Sequence, residues 1–366
     1  MRVAQIMYSG LGGHGSVAFS LIEADKKNQW NTYIGFIGIE PLLSTYVNFC
    51  KKNRIRYEYF PIFPGKSWKK WFSIVKWLKS INPEVIICHS SAALIPCFLY
   101  SRIRKVKIIY VEHQPNHLKT KIDWINSFIA FLTSNFVVSL TPQYLSELYA
   151  KRCLLINRRK AKIIANGINT DMFYCLEREL NLKKVIHIGM AGRFSPTKKQ
   201  DVLIKMVAKL TNEYPDFTFH LSLAGDGEQA HRLHSIVREL DLIENIEFTG
   251  YLGEIQLIEW FTKLDIYVHA TEGETLSTSI LQAMASGLPI IASDVPGVNN
   301  LLNEIELKDY LIETNTPQKF SSAIMSLIYN YDSVKPITKN RRRKIEIEYS
   351  NQKMFERYSS LINSTP

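Results

Sequence analysis

The sequence predicts an α/β protein made of two Rossmann-like, doubly wound parallel-sheet domains. Short runs rich in Val and Ile alternate with amphipathic helical patterns along nearly the whole chain. Continuously apolar runs of this kind are typical of parallel strands that helices cover on both faces. The length of 366 residues, taken at roughly 150 residues per domain, also favours two domains.

The predicted strands fall into two series, one in each half of the chain. Those of the first half are residues 3–8, 33–37, 55–59, 85–88, 107–111 and 136–140. Those of the second half are residues 185–190, 217–223, 246–248, 266–269, 289–292 and 310–312. The uncharged stretch 124–146 contains too many polar residues for a transmembrane helix, so a buried helix leading into strand 136–140 is expected.

A turn-rich stretch, residues 165–169, predicts the junction between the halves. We therefore place an N-terminal domain at residues 1–165, a C-terminal domain at 166–348 and a final helical segment at 349–366. By its pattern alone, that final helix could pack on either domain. No low-complexity linker separates the domains, which favours a functional cleft between them.

The composition is globular but basic. Lys and Arg number 45 against 34 Asp and Glu, a formal net charge of +11. This surplus predicts an anionic partner: nucleic acid, phosphorylated small molecules or an acidic membrane surface. Five scattered cysteines without a CxxC pair favour reduced thiols in a cytoplasmic protein, and residues 1–8 predict a first strand rather than a signal peptide.

A glycine-rich turn follows the first predicted strand. Gly12 and Gly13 lie within the run Gly10-Leu11-Gly12-Gly13-His14-Gly15-Ser16, before a helical pattern. Glycines allow backbone N–H groups to approach a phosphate, and the following helix N-terminus favours an anion. The run matches neither the GxGxxG fingerprint nor a P-loop. A simple strand–helix turn is therefore as good an interpretation as a phosphate-binding turn.

A basic loop follows the first strand of the second half. Arg193 and Lys198 lie in Gly192-Arg193-Phe194-Ser195-Pro196-Thr197-Lys198. At the carboxyl end of a parallel strand, two cations can hold a diphosphate. Solvated loop charges are the alternative.

An acidic loop precedes a capped helical pattern later in the second half. Glu274 follows Glu272 and Gly273, Ser277 can cap the helix, and Gln282 lies about two turns further on. One polar side chain can hold sugar hydroxyls and the other a ribose. A plain capped helix is the alternative, but it does not explain two acidic residues beside Gly273.

Residues 66–79 form a basic, tryptophan-rich segment. It contains Trp68, Lys69, Lys70 and Trp71, and the helical pattern predicts one face shared by Trp68, Trp71, Phe72, Val75 and Leu78. Such a segment suits an anionic membrane interface, although an ordinary sheet-covering helix is also consistent with it. A second basic cluster contains Arg102 and Arg104, joined by Lys105 and Lys107, with Lys119 and Lys121 as further candidates.

Together these motifs resemble the family 4 retaining glycosyltransferases of the GT-B fold, of the type that builds bacterial polysaccharides such as O-antigen. The matching segments are Gly12-Gly13, Asn166-Gly167-Ile168, Gly192-Arg193-Phe194…Lys198, Ala224-Gly225-Asp226-Gly227, Gly250, and Glu274 to Gln282 followed by Ala-Met-Ala-x-Gly-x-Pro. The resemblance covers most of the chain. Two positions depart from the family pattern: Gln282 stands where the family has its second glutamate, and Lys199 where Gly is usual.

The resemblance implies a role for each residue. Arg193 and Lys198 would neutralise the donor diphosphate, and Glu274 would hold the donor sugar. His113, at the end of strand 107–111, would also contact the sugar, although a lone His is often structural. The remaining donor contacts would come from Gly12, Gly13, Thr275, Leu276, Ser277 and Gln282. The N-terminal domain would bind the acceptor, the C-terminal domain the nucleotide-sugar, and the final helix would cross back onto the N-terminal domain.

The implied function is transfer of a sugar from a nucleotide-sugar, UDP-sugars being favoured, to a glycan acceptor. The acceptor would be lipid-linked, and the enzyme would lie on the cytoplasmic face of the inner membrane. No metal or other cofactor is expected, because the chain lacks an Asp-x-Asp pair and its cations can take the metal's charge role. Alternatives are a nucleotide-sugar epimerase or soluble glycan synthase of the same fold, and a basic nucleic-acid-binding protein. Against the nucleic-acid-binding alternative, the sequence shows no recognisable nucleic-acid-binding module.

Overall fold

The computed structural model describes residues 1–10, 12–63, 67–151, 153–173, 180, 185–302 and 310–364. The chain forms two compact units: Met1–Gly167 with Asn351–Pro366, and Ile168–Ser350. These boundaries lie two residues beyond the predicted ends at 165 and 348.

Unit 1 is built on a seven-stranded parallel sheet with the order β3-β2-β1-β4-β5-β6-β7. The strands are β1 Arg2–Tyr8, β2 Asn31–Gly38, β3 Arg56–Pro61, β4 Val85–Cys88, β5 Lys107–Val111, β6 Phe136–Ser139 and β7 Ala161–Ile163. Its helices are α1 Gly13–Glu23, α2 Ser44–Lys52, α3 Trp71–Ile81, α4 Leu94–Ser101, α5 Lys121–Thr133 and α6 Pro142–Ala150, with α14 Asn351–Asn363. The strand order reverses between β1 and β4, a position where α/β sheets commonly bind ligands at their carboxyl ends.

Two apolar clusters hold the unit 1 sheet between helical layers. Helices α3 to α6 cover one face through side chains that include Leu78, Cys97, Phe131 and Leu148. Helices α1 and α2 cover the other face, where Tyr46 packs with neighbours from β1 and β2. Strands β4 and β6 are buried along their whole length, which explains their continuous apolar sequences.

Helix α14 returns to unit 1, as predicted. Its Phe355 packs on Trp30 with ring centroids 4.6 Å apart, and the Met354 sulfur accepts a hydrogen bond from the Gly167 amide at 3.2 Å. Lys107 Nζ donates to the Ser364 carbonyl at 2.7 Å. Lys107 therefore caps this helix and does not belong to an exposed basic cluster.

Unit 2 contains a six-stranded parallel sheet with the order β10-β9-β8-β11-β12-β13. The strands are β8 Val185–Ala191, β9 Thr218–Ala224, β10 Ile246–Gly250, β11 Ile266–His269, β12 Ile290–Ser293 and β13 Leu311–Ile312. The helices are α7 Gln200–Glu213, α8 Ala230–Glu239, α9 Glu254–Lys263, α10 Thr278–Ala285, α11 Pro296–Leu302, α12 Pro317–Tyr329 and α13 Tyr331–Glu348. Here the order reverses between β8 and β11.

Three local expectations need correction. Strand β7 was not predicted, because it is a short edge strand with two exposed residues. Helix α5 is not fully buried, since Ile122 and Ile125 are exposed. The prediction that the tryptophan-rich segment shares one helical face is also wrong. Trp68 lies in a 3₁₀ turn, Ser67–Lys70, before the helix begins. Phe72 is 81% exposed, whereas Leu78 is fully buried.

Among the residues that the structure describes, none of the helices is both long and apolar enough to cross a bilayer.

Candidate active site

A buried cluster of ionisable groups lies at the carboxyl end of β11 in unit 2. Lys198 Nζ forms an ion pair with Glu274 Oε1, and His269 Nε2 lies 2.7 Å from the same oxygen. The Lys198 and Glu274 side chains are only 16% and 15% exposed, and that of His269 is 1% exposed. The structure thus brings together two predicted site residues from different loops.

The loop that carries Glu274 is fixed by hydrogen bonds from three segments. The Thr271 amide donates to Ser293 Oγ at 2.8 Å, and the Glu272 amide donates to the Thr197 carbonyl at 2.8 Å. Asn315 Nδ2 donates to the Thr271 carbonyl at 2.8 Å. The backbone that leads into Glu274 is therefore held in place by the fold itself, which is part of the preorganisation that a binding site needs.

Helix α10 begins directly after this loop. Ser277 is its N-cap and accepts a hydrogen bond from the Ile280 amide, as its sequence position predicts. Thr275, Leu276 and Ser277 are buried, and Gln282 is half-buried on α10. The helix N-terminus directed towards this loop has the polarity that favours an anion.

The basic loop between β8 and α7 is shaped by two glycines of a neighbouring turn. A Cβ at Gly225 would lie 2.0 Å from the Gly192 carbonyl oxygen, and one at Gly227 would lie 2.4 Å from the Phe194 carbonyl oxygen. Only glycine permits this close approach of two backbones. The approach places Arg193 beside the turn, where its Nη2 lies 3.2 Å from Glu228 Oε2.

Burial strongly perturbs the two basic groups of the cluster. It lowers the pKa of Lys198 to about 7. Burial, and then the charge of Lys198, hold the pKa of His269 well below its usual range. His269 is therefore neutral near pH 7, whereas Lys198 titrates in that range.

The sequence reasoning missed His269 and Tyr267, which both lie on β11. Tyr267 Oη lies 3.2 Å from His269 Nδ1, so the two residues extend the Glu274 cluster into the sheet. The position of His269 could have identified it as a site residue, because it ends a predicted strand directly before the acidic loop.

A second polar cluster lies in unit 1 and contains His113. His113 Nε2 lies 2.9 Å from His89 Nδ1, and His89 Nε2 lies 3.3 Å from Gln5 Oε1. These residues come from β1 and from the segments directly after β4 and β5, so they meet at the carboxyl edge of the sheet.

The position and charge of His113 are set by its surroundings. Its neighbours are anchored, Glu112 by an ion pair with Lys119 at 3.0 Å and Gln114 by a hydrogen bond to Asp123 at 3.0 Å. Burial first, and then the nearby histidines, hold the pKa of His113 well below its usual range. A neutral, oriented imidazole can hydrogen-bond a hydroxyl group. Since Lys119 is buried in this ion pair, it does not contribute to an exposed basic surface.

The glycine-rich turn of unit 1 approaches the same cluster. Gly12 is the N-cap of α1 and Gly13 is its first residue, while Leu11 lies outside the described residues. A Cβ at Gly12 would lie 2.5 Å from the His14 ring, and that ring lies 6.2 Å from the ring of His113. The turn thus brings a further histidine near His113.

The residues predicted for membrane contact differ in exposure. Trp68 is 58% exposed, Lys69 Nζ lies 5.8 Å from the Trp68 ring centroid, and Arg102 and Arg104 are exposed. Lys70 and Trp71 are half-buried. Trp71 therefore contributes less to the outer surface than its sequence position predicts.

Replacing Gly297 by Ala is expected to disrupt the Glu274 loop. A Cβ there would lie 2.1 Å from the Glu274 carbonyl oxygen and 2.5 Å from that of Thr275, so the loop must move. We expect Gly297→Ala to lower the activity of this site at least tenfold, because displacements of about 1 Å can cost a hundredfold. The matched control is Gly253→Ala, whose Cβ makes only an ordinary 3.5 Å contact; equal activity of the two variants would refute this role of the loop.

Comparison with known proteins matches both units to glycosyltransferases. The profile described as Glycosyltransferase Family 4 matches residues 12–172, and that described as Glycosyl transferases group 1 matches residues 176–344. Together they span most of the chain.

Relatives and solved structures agree with these matches. An uncharacterised glycosyltransferase of Methanocaldococcus jannaschii is 24% identical, with 82% of this chain and 79% of that protein covered. The Escherichia coli UDP-Gal:α-D-GlcNAc-diphosphoundecaprenol α-1,3-galactosyltransferase is 26% identical, with 81% and 79% covered. Anabaena HepE, solved with UDP and glucose, superposes with a TM-score of 0.82 at 17% identity over all of both chains. The chain belongs to a glycosyltransferase family and has the GT-B fold.

Proposed function

We propose that this glycosyltransferase takes its sugar from a UDP-sugar and transfers it with retention of configuration. Unit 2, residues 168–350, is the donor-binding unit, and unit 1 binds the acceptor. The observation that carries the proposal is the buried ion pair between Lys198 and Glu274. It joins a cation suited to a diphosphate with a carboxylate suited to sugar hydroxyls.

Different predicted residues bind the diphosphate, the sugar and the ribose of the donor. Arg193 and Lys198 neutralise the charge that grows on the diphosphate as the sugar departs. Within unit 2, Glu274 accepts hydrogen bonds from the sugar. Within unit 1, neutral His113 hydrogen-bonds a hydroxyl group. The backbone at Thr275–Ser277 supports the phosphates, and Gln282 binds the ribose through a neutral amide instead of the charged glutamate that is usual in the family. In unit 1, the Gly12-Gly13 turn offers backbone N–H groups to an anion.

The preference for UDP is supported by two similar proteins. The related E. coli enzyme is named for UDP-Gal, and the superposable Anabaena protein was solved with UDP and glucose. A thermal-shift screen of UDP-, GDP- and ADP-sugars tests the proposal, since a ligand at about 100 times its Kd stabilises the fold by about 2.7 kcal/mol. We expect UDP-sugars to raise Tm most. No shift with any UDP-sugar would refute the donor assignment.

We further propose that transfer requires no metal ion. No three His, Cys, Asp or Glu side chains in the described part of the chain are arranged to hold one, and Lys198 and Arg193 supply positive charge. Release of UDP from the donor should therefore be unchanged by EDTA, and loss of activity that Mg²⁺ or Mn²⁺ restores would contradict this.

The acceptor is proposed to be a lipid-linked saccharide at the cytoplasmic face of an anionic membrane. The related E. coli enzyme is named for a diphosphoundecaprenol-linked acceptor, which is both lipidic and anionic. Helices α3–α6 and the segments that flank them offer matching groups. The exposed apolar side chains there include Trp68, Phe72, Leu99, Ile103, Ile122, Ile125, Leu132, Leu154 and Leu155, and the exposed cations include Lys69, Arg102, Arg104, Lys105, Lys121 and Lys151. Apolar side chains interspersed with Lys and Arg suit an anionic bilayer surface.

The double variant Trp68→Ser/Phe72→Ser should bind liposomes containing anionic lipid at least fivefold more weakly than the unaltered protein. Both side chains are strongly exposed, so their loss removes apolar insertion with little effect on the fold. Co-sedimentation with vesicles of phosphatidylglycerol and phosphatidylethanolamine measures the effect. The control is Ile243→Ser/Ile255→Ser, which removes two exposed apolar residues of unit 2; equal weakening by the control would argue against a specific surface.

A further inference from the structure

The strongest unexplained feature of unit 2 is a chain of hydrogen-bonding groups that ends at Glu274. The Ala191 amide donates to Tyr267 Oη at 3.4 Å. Tyr267 Oη lies 3.2 Å from His269 Nδ1, and His269 Nε2 lies 2.7 Å from Glu274 Oε1. Tyr267 and His269 are buried within the sheet, so neither is positioned to act on a substrate directly.

The chemistry of the groups gives this chain a direction. A carboxylate can only accept hydrogen bonds, so the proton of neutral His269 lies on Nε2. Its Nδ1 then carries a lone pair and accepts from the Tyr267 hydroxyl. Burial raises the pKa of Tyr267 above its usual range, which keeps that hydroxyl protonated.

The other groups around His269 are consistent with a proton on Nε2 and a lone pair on Nδ1. Lys198 Nζ lies 3.4 Å from His269 Nε2, and both are donors that share Glu274 Oε1 as their acceptor. The Tyr267 hydroxyl also lies 3.3 Å from the Ala191 carbonyl, slightly farther than from Nδ1. Ser279 hydrogen-bonds to Tyr267 as well.

We propose that His269 is a positioning residue that keeps the Glu274 carboxylate oriented for the donor sugar, with its Nε2–H tautomer fixed by that carboxylate and supported by the Tyr267 hydroxyl at Nδ1. This rests on the proposed role of Glu274. When a nucleotide-sugar binds, Lys198 can pair with two anions, the Glu274 carboxylate and the diphosphate. A neutral donor from the sheet keeps Glu274 in place without competing for the diphosphate, because it carries no charge.

The tautomer can be tested without any substrate. In the full-length protein labelled with ¹⁵N-histidine, long-range ¹H–¹⁵N correlation spectra report which imidazole nitrogen carries the proton, and His269→Phe assigns the signal. We expect a neutral Nε2–H imidazole from pH 6 to pH 8. A proton on Nδ1, or a charged imidazolium at pH 7, would overturn the proposal.

The positioning role is tested by comparing Kd for UDP with Kd for the UDP-sugar that stabilises the protein most. Tyr267→Phe should weaken UDP-sugar binding about threefold and His269→Phe at least tenfold, with UDP binding within twofold of the unaltered protein. His269→Gln, which retains an N–H donor, should recover part of the loss. The control is His220→Phe on β9, which stacks on His187 away from the cluster and should change nothing.

The outcomes separate the two proposals. If Tyr267→Phe and His269→Phe bind UDP-sugar as tightly as the unaltered protein, the positioning role is wrong. If His269→Phe does not fold, Tyr267→Phe decides alone, since it removes a single oxygen atom. If the unaltered protein binds no UDP-sugar, the proposed function fails instead, while the tautomer remains measurable.

Discussion

Glu274→Gln is expected to lower sugar transfer at least a hundredfold while leaving the fold and UDP binding intact. The substitution keeps the size of the side chain but removes the charge that pairs with Lys198. It also replaces an acceptor oxygen of the carboxylate with an NH₂ group. Hydrogen bonds to a charged group contribute about 1.5–3 kcal/mol each, and about 1.4 kcal/mol corresponds to a tenfold change in rate.

The neighbouring glutamate provides a matched control. Glu272 forms a partly exposed ion pair with Lys199 at 2.5 Å, and ion pairs that water reaches contribute little. Glu272→Gln should therefore retain transfer within about twofold, measured as UDP release with the same donor and acceptor. Comparable losses in both variants would show that the loop needs negative charge in general, and the specific role of Glu274 would be wrong.

The second large effect concerns Lys198 and pH. With its pKa lowered to about 7 by burial, Lys198 loses its positive charge as pH rises through that value. If the cation neutralises the diphosphate, kcat/KM falls about tenfold per pH unit above 7 for the free enzyme. A bound diphosphate favours the cation, so kcat should fall at a higher pH than kcat/KM.

Lys198→Arg separates this titration from other causes. Arg stays charged at every pH of interest, so the decline above pH 7 should disappear, even though the altered geometry lowers the absolute rate. Lys199→Arg, at the neighbouring, half-buried position, should leave the profile unchanged. A decline that persists in Lys198→Arg, or a flat profile in the unaltered protein from pH 6 to pH 9, would rule out Lys198 as the titrating group.

Much of the fold follows from the sequence because parallel strands are buried on both faces. Every strand predicted from apolar runs is present, and the ends differ by at most two residues. Strand β7 is the one observed strand in the described residues that was not predicted. Its residues follow a charged turn and are mostly exposed, so no apolar run marks it. The position of Phe72 could not be predicted either, because the 3₁₀ turn before α3 changes the helical phase from which its exposure was inferred.

The site was predictable only in part. Motif order identified Glu274 and Lys198 as candidates, but they lie 76 residues apart, and only the fold shows that they pair. The link from Tyr267 through His269 was not predictable, because it depends on side chains that point to the same face of one buried strand. His113 and His89 follow adjacent strands, so their proximity could be anticipated, whereas the 2.9 Å contact between their rings could not.

The central claim is that Glu274 holds the sugar of the donor and Lys198 its diphosphate. Calorimetric titration of UDP and of a UDP-sugar into the unaltered protein, Glu274→Gln and Lys198→Met tests it most directly. We expect Glu274→Gln to weaken only the UDP-sugar, and Lys198→Met to weaken both ligands at least tenfold at pH 6.5, where Lys198 is mostly charged. If Glu274→Gln weakens UDP as much as UDP-sugar, or Lys198→Met leaves UDP binding unchanged, this division of the donor between the two residues is wrong.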